Sequence, residues 1–414
     1  MSQVLTCCFL SRLEQHSDCF PCYIIKLTKD LTIFISSQPR GQRMKKFAIG
    51  LLALMFVLAS SAFATIRYVS TTGAGTYTTI DAAWAAATTG DTILVGPGTY
   101  NLAADLNRTN TRGVFIGAGW DQTIVNHGTS TWYFNGAGST RSSVEGFRLN
   151  GGTNNMIFGS NNPDSTTFRR CYVNNPTTGN WTFLWGNGQT GRGLTLEDCI
   201  IQQSTTGAGL AAVRITDGNY PTTIRNCVFI NQGGGTNGRA IAGGSASGTV
   251  EVYNSVFLNF TIPFSLSTAG GPLIAINNIF HDFLASPSFG SYNAVSVWDY
   301  NAATTLTPPG TNALLLAGDP FVAYDEALNY QHGVSDLHLD PTNGAACINS
   351  GHPSLLDFTD GTQSDRGVYG GPKPLVDNGV PNYPWAVNIL LNPNLVGVGT
   401  PVNATALGRV GPQY

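Results

Sequence analysis

Three aromatic side chains and a small group of carboxylates are the residues of this sequence most suited to chemistry. Trp181, Phe183 and Trp185 alternate in the run Asn-Trp-Thr-Phe-Leu-Trp, inside a stretch rich in glycine, asparagine and threonine. Alternate side chains of a strand share a face. If that face points outward, the rings form a stacking platform for sugars; if inward, they fill a core. Trp181, Phe183 and Trp185 are the candidate carbohydrate-binding residues. Asp357, Asp360 and Asp365, with Thr362 among them, form an oxygen-rich cluster farther along. Irregular loops of oxygen ligands suit Ca²⁺, so these three aspartates are candidate metal ligands. Their spacing is not that of an EF-hand, and turns favour aspartate for its own backbone bonding. His127, His281, His332, His338 and His352 have no metal-ligand spacing. His281 closes a repeat and reads as a turn residue.

The elements that would position these groups are set by a repeat. Four segments recur at an interval of 28 residues: Thr166–Asn175, Leu194–Gln203, Thr222–Asn231 and Val250–Asn259. Phe168, Leu196, Ile224 and Val252 share one column; Cys171, Cys199, Cys227 and Ser255 share another; Asn175, Gln203, Asn231 and Asn259 close each copy. A fixed period of this size marks one supersecondary unit stacked on copies of itself. Each unit reads as a short alternating strand, a polar pair at a bend, and a second short apolar strand. No amphipathic helix separates the copies, which leaves a single chain coiling through parallel strands: an all-β solenoid, the parallel β-helix. Arg169, Glu197, Arg225 and Tyr253 fall in one column, and Arg170, Asp198, Asn226 and Asn254 in the next. Alternating charge between turns reads as a surface ladder rather than a catalytic site. The three stacked cysteines are expected to be free, buried thiols packing as small hydrophobes, because Ser255 fills the same column.

The 414 residues include 49 glycines, and only 11% are charged, with a net charge of −3. That composition fits a turn-rich, strand-rich exported chain rather than a disordered one. Met44-Lys45-Lys46, an apolar run from Phe47 to Leu58 and the ending Ala59–Ala64 have the three parts of a secretory signal peptide. Residues 1–43 are then expected to be a mis-assigned, unstructured start. Cys19-Phe-Pro-Cys22 has redox spacing but no βαβ surroundings. Beyond the signal, the only lysine is Lys373. No basic stripe suits nucleic acid, and no later apolar run is long enough to span a membrane.

Residues 76–100 carry a resemblance. Thr78 or Thr79 can cap a short helix that presents Ile80, Ala83, Trp84 and Ala87 on one face and ends by Gly90. Next comes Gly90-Asp91-Thr92-Ile93-Leu94-Val95-Gly96-Pro97-Gly98-Thr99-Tyr100. This opening resembles that of the pectin-lyase-like, right-handed β-helix superfamily. The resemblance continues in Val114–Trp120 and Thr123-Ile124-Val125. It extends to a tail pattern in Leu316–Val322, Asp336-Leu337-His338-Leu339 and Asp360–Gly371, with Asn349 where the superfamily tends to have aspartate. It implies a single-stranded right-handed parallel β-helix of roughly eight to ten turns, plugged at its start by the helix. The expected order is signal peptide at 44–64, cap at 65–100, β-helix at 101–315, and tail or cap at 316–414.

The resemblance says less about activity, because one fold hosts many functions. The paired-carboxylate motifs of galacturonases are absent. Asn155-Met156-Ile157-Phe158-Gly159 lacks the carboxylate of the matching esterase string. No catalytic residue is assigned. The expected function is a secreted or extracytoplasmic monomer that binds polysaccharide or other cell-envelope glycan, with Ca²⁺ as the one candidate cofactor. The alternatives are a polysaccharide lyase or related glycan-degrading enzyme, and an adhesin or surface stalk.

Overall fold

The computed structural model describes residues 23–28 and 31–35, most of 65–377, and 385–392, 401 and 403–409. The chain divides into two units, Met1–Phe63 and Ala64–Tyr414. In the first, Tyr23–Thr28 pairs antiparallel with Leu31–Ile35. Residues 44–64, expected to be a signal peptide, and Cys19–Cys22 lie outside the described residues.

The second unit is a parallel β-helix. Among the described residues, two sheets of ten strands and one of eight run along it, and every pairing within them is parallel. The first sheet carries Thr92–Val95, Thr166–Arg169, Leu194–Glu197, Thr222–Arg225 and Val250–Tyr253. The second carries Gly98–Asn101, Tyr172–Asn175, Ile200–Gln203, Val228–Asn231 and Val256–Leu258. The third carries Leu106–Thr109, Phe183–Trp185 and Arg239–Ser247. The repeat columns are registers: Phe168 faces Leu196, Leu196 faces Ile224, and Ile224 faces Val252.

The bend between the first and second sheets explains the polar pair. Arg170, Asp198, Asn226 and Asn254 have φ between 44° and 52°. That left-handed region disfavours most side chains but admits asparagine and aspartate. The next residue turns inward. Cys171, Cys199 and Cys227 are buried and free. Beyond Ser255 the same column continues as Asn278 and Asn301. Asn278 Oδ1 accepts the Ser255 amide at 2.9 Å, and Asn301 Oδ1 accepts the Asn278 amide at 3.0 Å. The column therefore changes from thiols to a satisfied carboxamide ladder. Deeper in the coil, Phe229, Phe257 and Phe280 stack from turn to turn, with centroids 5.1 and 4.9 Å apart.

The helix spans Ile80–Ala86, with Thr79 Oγ1 accepting the Ala82 amide at 3.3 Å. Ile80, Ala83 and Trp84 join the core, and Trp84 packs on Phe115 at 5.0 Å. The helix contacts Ile66–Val69, Thr92–Val95 and Leu106–Thr109, strands of the first turn.

A second apolar cluster lies outside the coil. Tyr172, Ile200, Val228, Ile230, Val256, Leu258 and Ile279 project from the outer face of the second sheet and are buried with Phe321, Tyr330, Leu337, Val368 and Leu375 of the tail. Residues 316–375 are thus folded back along the second sheet. The bend asparagines fasten them: Asn254 Nδ2 donates to the Asp365 carbonyl at 2.9 Å, and the Gly367 amide donates to the Asn277 carbonyl at 2.7 Å. Farther on, Trp385–Asn392 pairs antiparallel with Asn403–Arg409.

Candidate functional site

The sequence-derived candidates fall in unexpected places. Phe183 and Trp185 point into the coil and are 0% and 2% exposed. Phe183 packs edge-on against Phe168 at 5.1 Å, and Trp185 tilts against Phe134 at 6.3 Å. They are core, so the three-ring outward platform does not exist. Trp181 is half-buried, and its amide donates to Asn155 Oδ1 at 3.0 Å. Alternation showed that the side chains share a face, but it could not say which.

The aspartate cluster is also divided among local tasks. Asp357 is buried and accepts the amides of Asp365 and Gly371. Asp360 accepts the amide and hydroxyl of Thr362 at 2.9 and 2.7 Å. Asp365 accepts the Asn349 amide at 2.6 Å. These are turn-stabilising bonds. Among the described residues no three side chains of His, Cys, Asp or Glu are grouped to hold a metal ion. In this arrangement the three carboxylates hold turns of the folded tail. The charge ladder is present: Arg169 pairs with Glu197 at 2.6 Å, Lys373 reaches the same carboxylate at 3.2 Å, and Arg225 lies over the Tyr253 ring.

His281 ends the strand Ile279–His281 and is buried under the tail rather than in a turn. Its Nδ1 lies 3.0 Å from Thr304 Oγ1, and its Nε2 lies 3.2 Å from Glu326 and 3.5 Å from Asp319. Burial pushes its pKa down to about 4.

A cavity of about 260 Å³ does open where the tail crosses the second sheet. Its floor is Trp120, Ile200 and Val228, and its walls are Tyr330, His332–His338, Tyr369, Leu375 and Asp377. Three aromatic rings at this cavity are each held by a carboxylate. His332 Nε2 lies 2.8 Å from Asp121 Oδ1. His338 Nδ1 lies 2.7 Å from Asp336 Oδ1. The Tyr369 hydroxyl donates to Asp377 Oδ1 at 2.7 Å.

The rings also stack. His332 lies flat on Tyr172 with centroids 4.3 Å apart, and His338 lies on Tyr369 at 3.6 Å. Tyr172 takes Arg148 over its ring as well and donates its hydroxyl to Gln202 at 2.6 Å. Burial pushes the Tyr172 phenol up to about 12 and raises those of Tyr330 and Tyr369 further. Partial burial pulls Asp336 upward, but hydrogen bonds from the His338 amide and ring hold it below its usual range. Trp120 is 2% exposed, and its Nε1 has no protein partner. The site combines flat ring faces and carboxylate acceptors, groups that fix a polar ring-shaped ligand.

Sequence reasoning placed His338 on a tail strand, and Asp336–Leu339 is one. It missed the Asp121–His332 pair, whose members lie 211 residues apart. The available signal was indirect. The second strand of each repeat is apolar on both faces, as in Val228-Phe229-Ile230, and such a strand must be covered on both sides.

No family model matches the chain, and no curated protein does. Among solved structures it is similar to pectate lyase Pel9A, at 15% identity and a TM-score of 0.41, covering 74% of this chain and 96% of that one. It is also similar to a pectin methylesterase from carrot, at 16% identity and a TM-score of 0.31, covering 60% and 91%. A third is the pectin methylesterase from Aspergillus niger, at 15% identity and a TM-score of 0.29, covering 57% and 93%. None of these likenesses carries a residue's role onto this chain. Its own strand pairing, with every repeat column in register, shows that the chain has the parallel β-helix fold that its pectin-lyase-like opening implied.

Proposed function

We propose that this protein binds polysaccharide, as an exported monomer, in the cavity between its tail and its second sheet. The observation that supports the reading is the set of three carboxylate-held rings at one cavity, Asp121–His332, Asp336–His338 and Asp377–Tyr369. Flat apolar ring faces receive the C–H face of a sugar, and carboxylates accept its hydroxyls. Export rests on the signal-like run at 44–64. Affinity electrophoresis through gels cast with a panel of cell-wall polysaccharides tests the reading. Retardation by at least one polymer, reduced in His338→Ala, is the expected result. His338 is exposed, so its truncation spares the core.

A lyase or other glycan-degrading reading is favoured by one observation. The His332 imidazole, oriented by Asp121 at the cavity wall, has the arrangement of a positioned general base. Release of unsaturated sugars from uronate polymers, lost in His332→Ala, would make the cavity catalytic.

A further inference from the structure

The cavity's charge is one-sided. Asp336 and Asp377 line it, and Asp121 stands directly behind His332. No lysine or arginine is among its lining residues. The nearby cations are engaged elsewhere: Lys373 on Glu197, Arg148 over the outer ring of the Tyr172 stack, and Arg366 on the carbonyls of Asn301 and Asn312 at 3.0 and 3.1 Å. The two histidines that face the space each turn a ring nitrogen toward an aspartate, which spends their donors on the protein. Carboxylate acceptors are left facing a small, partly apolar space. A uronate placed there would meet like charge with no cation to offset it. A sugar bearing an ammonium group would meet acceptors already held in place by His338 and Tyr369.

We infer that the cavity selects an amino sugar with a free, protonated amine, its ring against the His338–Tyr369 stack and its ammonium group toward Asp336 and Asp377. This rests on the glycan-binding reading above and narrows it to one chemical class. The carboxylates alone would not specify a ligand. A pocket of about 260 Å³ floored by apolar side chains and edged by two stacked ring pairs supplies the independent indication that a ring-shaped ligand fits there.

Four probes separate the outcomes: linear hexamers of glucosamine, N-acetylglucosamine, glucose and galacturonate. Each is titrated calorimetrically into the full chain in mildly acidic buffer at low and high salt. The glucosamine hexamer is expected to bind about tenfold tighter than the glucose and N-acetylglucosamine hexamers. That advantage should shrink at high salt and disappear in Asp336→Asn and Asp377→Asn, so that the glucosamine and glucose hexamers bind these variants alike. Equal affinity for the amine-bearing and neutral hexamers, or a preference for galacturonate, overturns this inference and leaves glycan binding standing. If none of the four binds, both fall. Circular dichroism of the variants confirms that a loss of binding is not a loss of fold.

Discussion

Asn226 Nδ2 donates to the carbonyls of Val368 at 2.9 Å and Gly370 at 2.7 Å, joining a bend of the coil to chain more than 140 residues further on. The same residue holds φ at 50°. One asparagine therefore turns the coil and fastens the tail that forms the cavity.

Replacing it separates these two tasks. Asn226→Gly accepts the positive φ without strain but loses both bonds to the tail. Urea unfolding should report a loss of about 1–3 kcal/mol, and limited proteolysis should cut the tail faster than in the parent. An unchanged cleavage rate would mean that the tail is held without this bond.

The cysteine column gives a second expectation. Cys171, Cys199 and Cys227 are free and buried. A thiol reagent should leave them unmodified in the native protein and titrate all three after denaturation. Cys227→Ser should cost less than about 1 kcal/mol, because Ser255 occupies the same column with its hydroxyl donated to the Tyr253 carbonyl at 2.9 Å. Cys227→Leu should cost about 1–3 kcal/mol by overpacking the coil. Chemical unfolding of the pair checks both.

Acid should weaken the fold through a buried histidine. His127 is 0% exposed, and burial lowers its pKa to about 4, although the Ser130 carbonyl pulls the other way. In the unfolded chain the ring protonates near the ordinary histidine value. Between those two values the unfolded state binds more protons, so unfolding free energy falls as pH drops through that window and is constant above it. The shift corresponds to roughly 3 kcal/mol. His127→Asn should flatten this dependence, read as the slope of unfolding free energy against pH. His281, whose pKa burial also lowers to about 4, adds a similar term, with Asp319 and Glu326 facing its Nε2.

Trp185 tests the reassignment of the aromatic run. Trp185→Ala should cost about 3–5 kcal/mol, as for a large buried ring, whereas a surface platform residue would cost little. Thermal and urea unfolding together distinguish the two.

The tail aspartates give the last. Asp357, Asp360 and Asp365 serve backbone amides, so the melting temperature should not move on addition of EDTA. Asp357→Ala should lower it by leaving the Asp365 and Gly371 amides without their acceptor. A drop with EDTA in the parent protein would restore a metal to this loop.

The coil was legible in the sequence because its period is strict and its columns are chemically uniform. Phe168, Leu196, Ile224 and Val252 announce a register, and Asn226 and Asn254 announce a left-handed bend. The direction of Trp185 was not legible, since alternation fixes only which side chains share a face. The aspartates are ambiguous in sequence because a Ca²⁺ loop and a hydrogen-bonded turn use the same residue. The cavity was hidden for a different reason. Asp121 and His332 meet only because the tail returns along the second sheet, and no local spacing encodes that return. The one trace of it was the doubly apolar second strand, as in Val256-Phe257-Leu258.

A crystal structure of the protein soaked with a glucosamine oligomer is the most direct examination of where and what this molecule binds. The expected density is a sugar ring against His338 and Tyr369, with its amine near Asp336. Density for the ring on the first or third sheet, with the cavity beside Trp120 holding only water, would contradict the account.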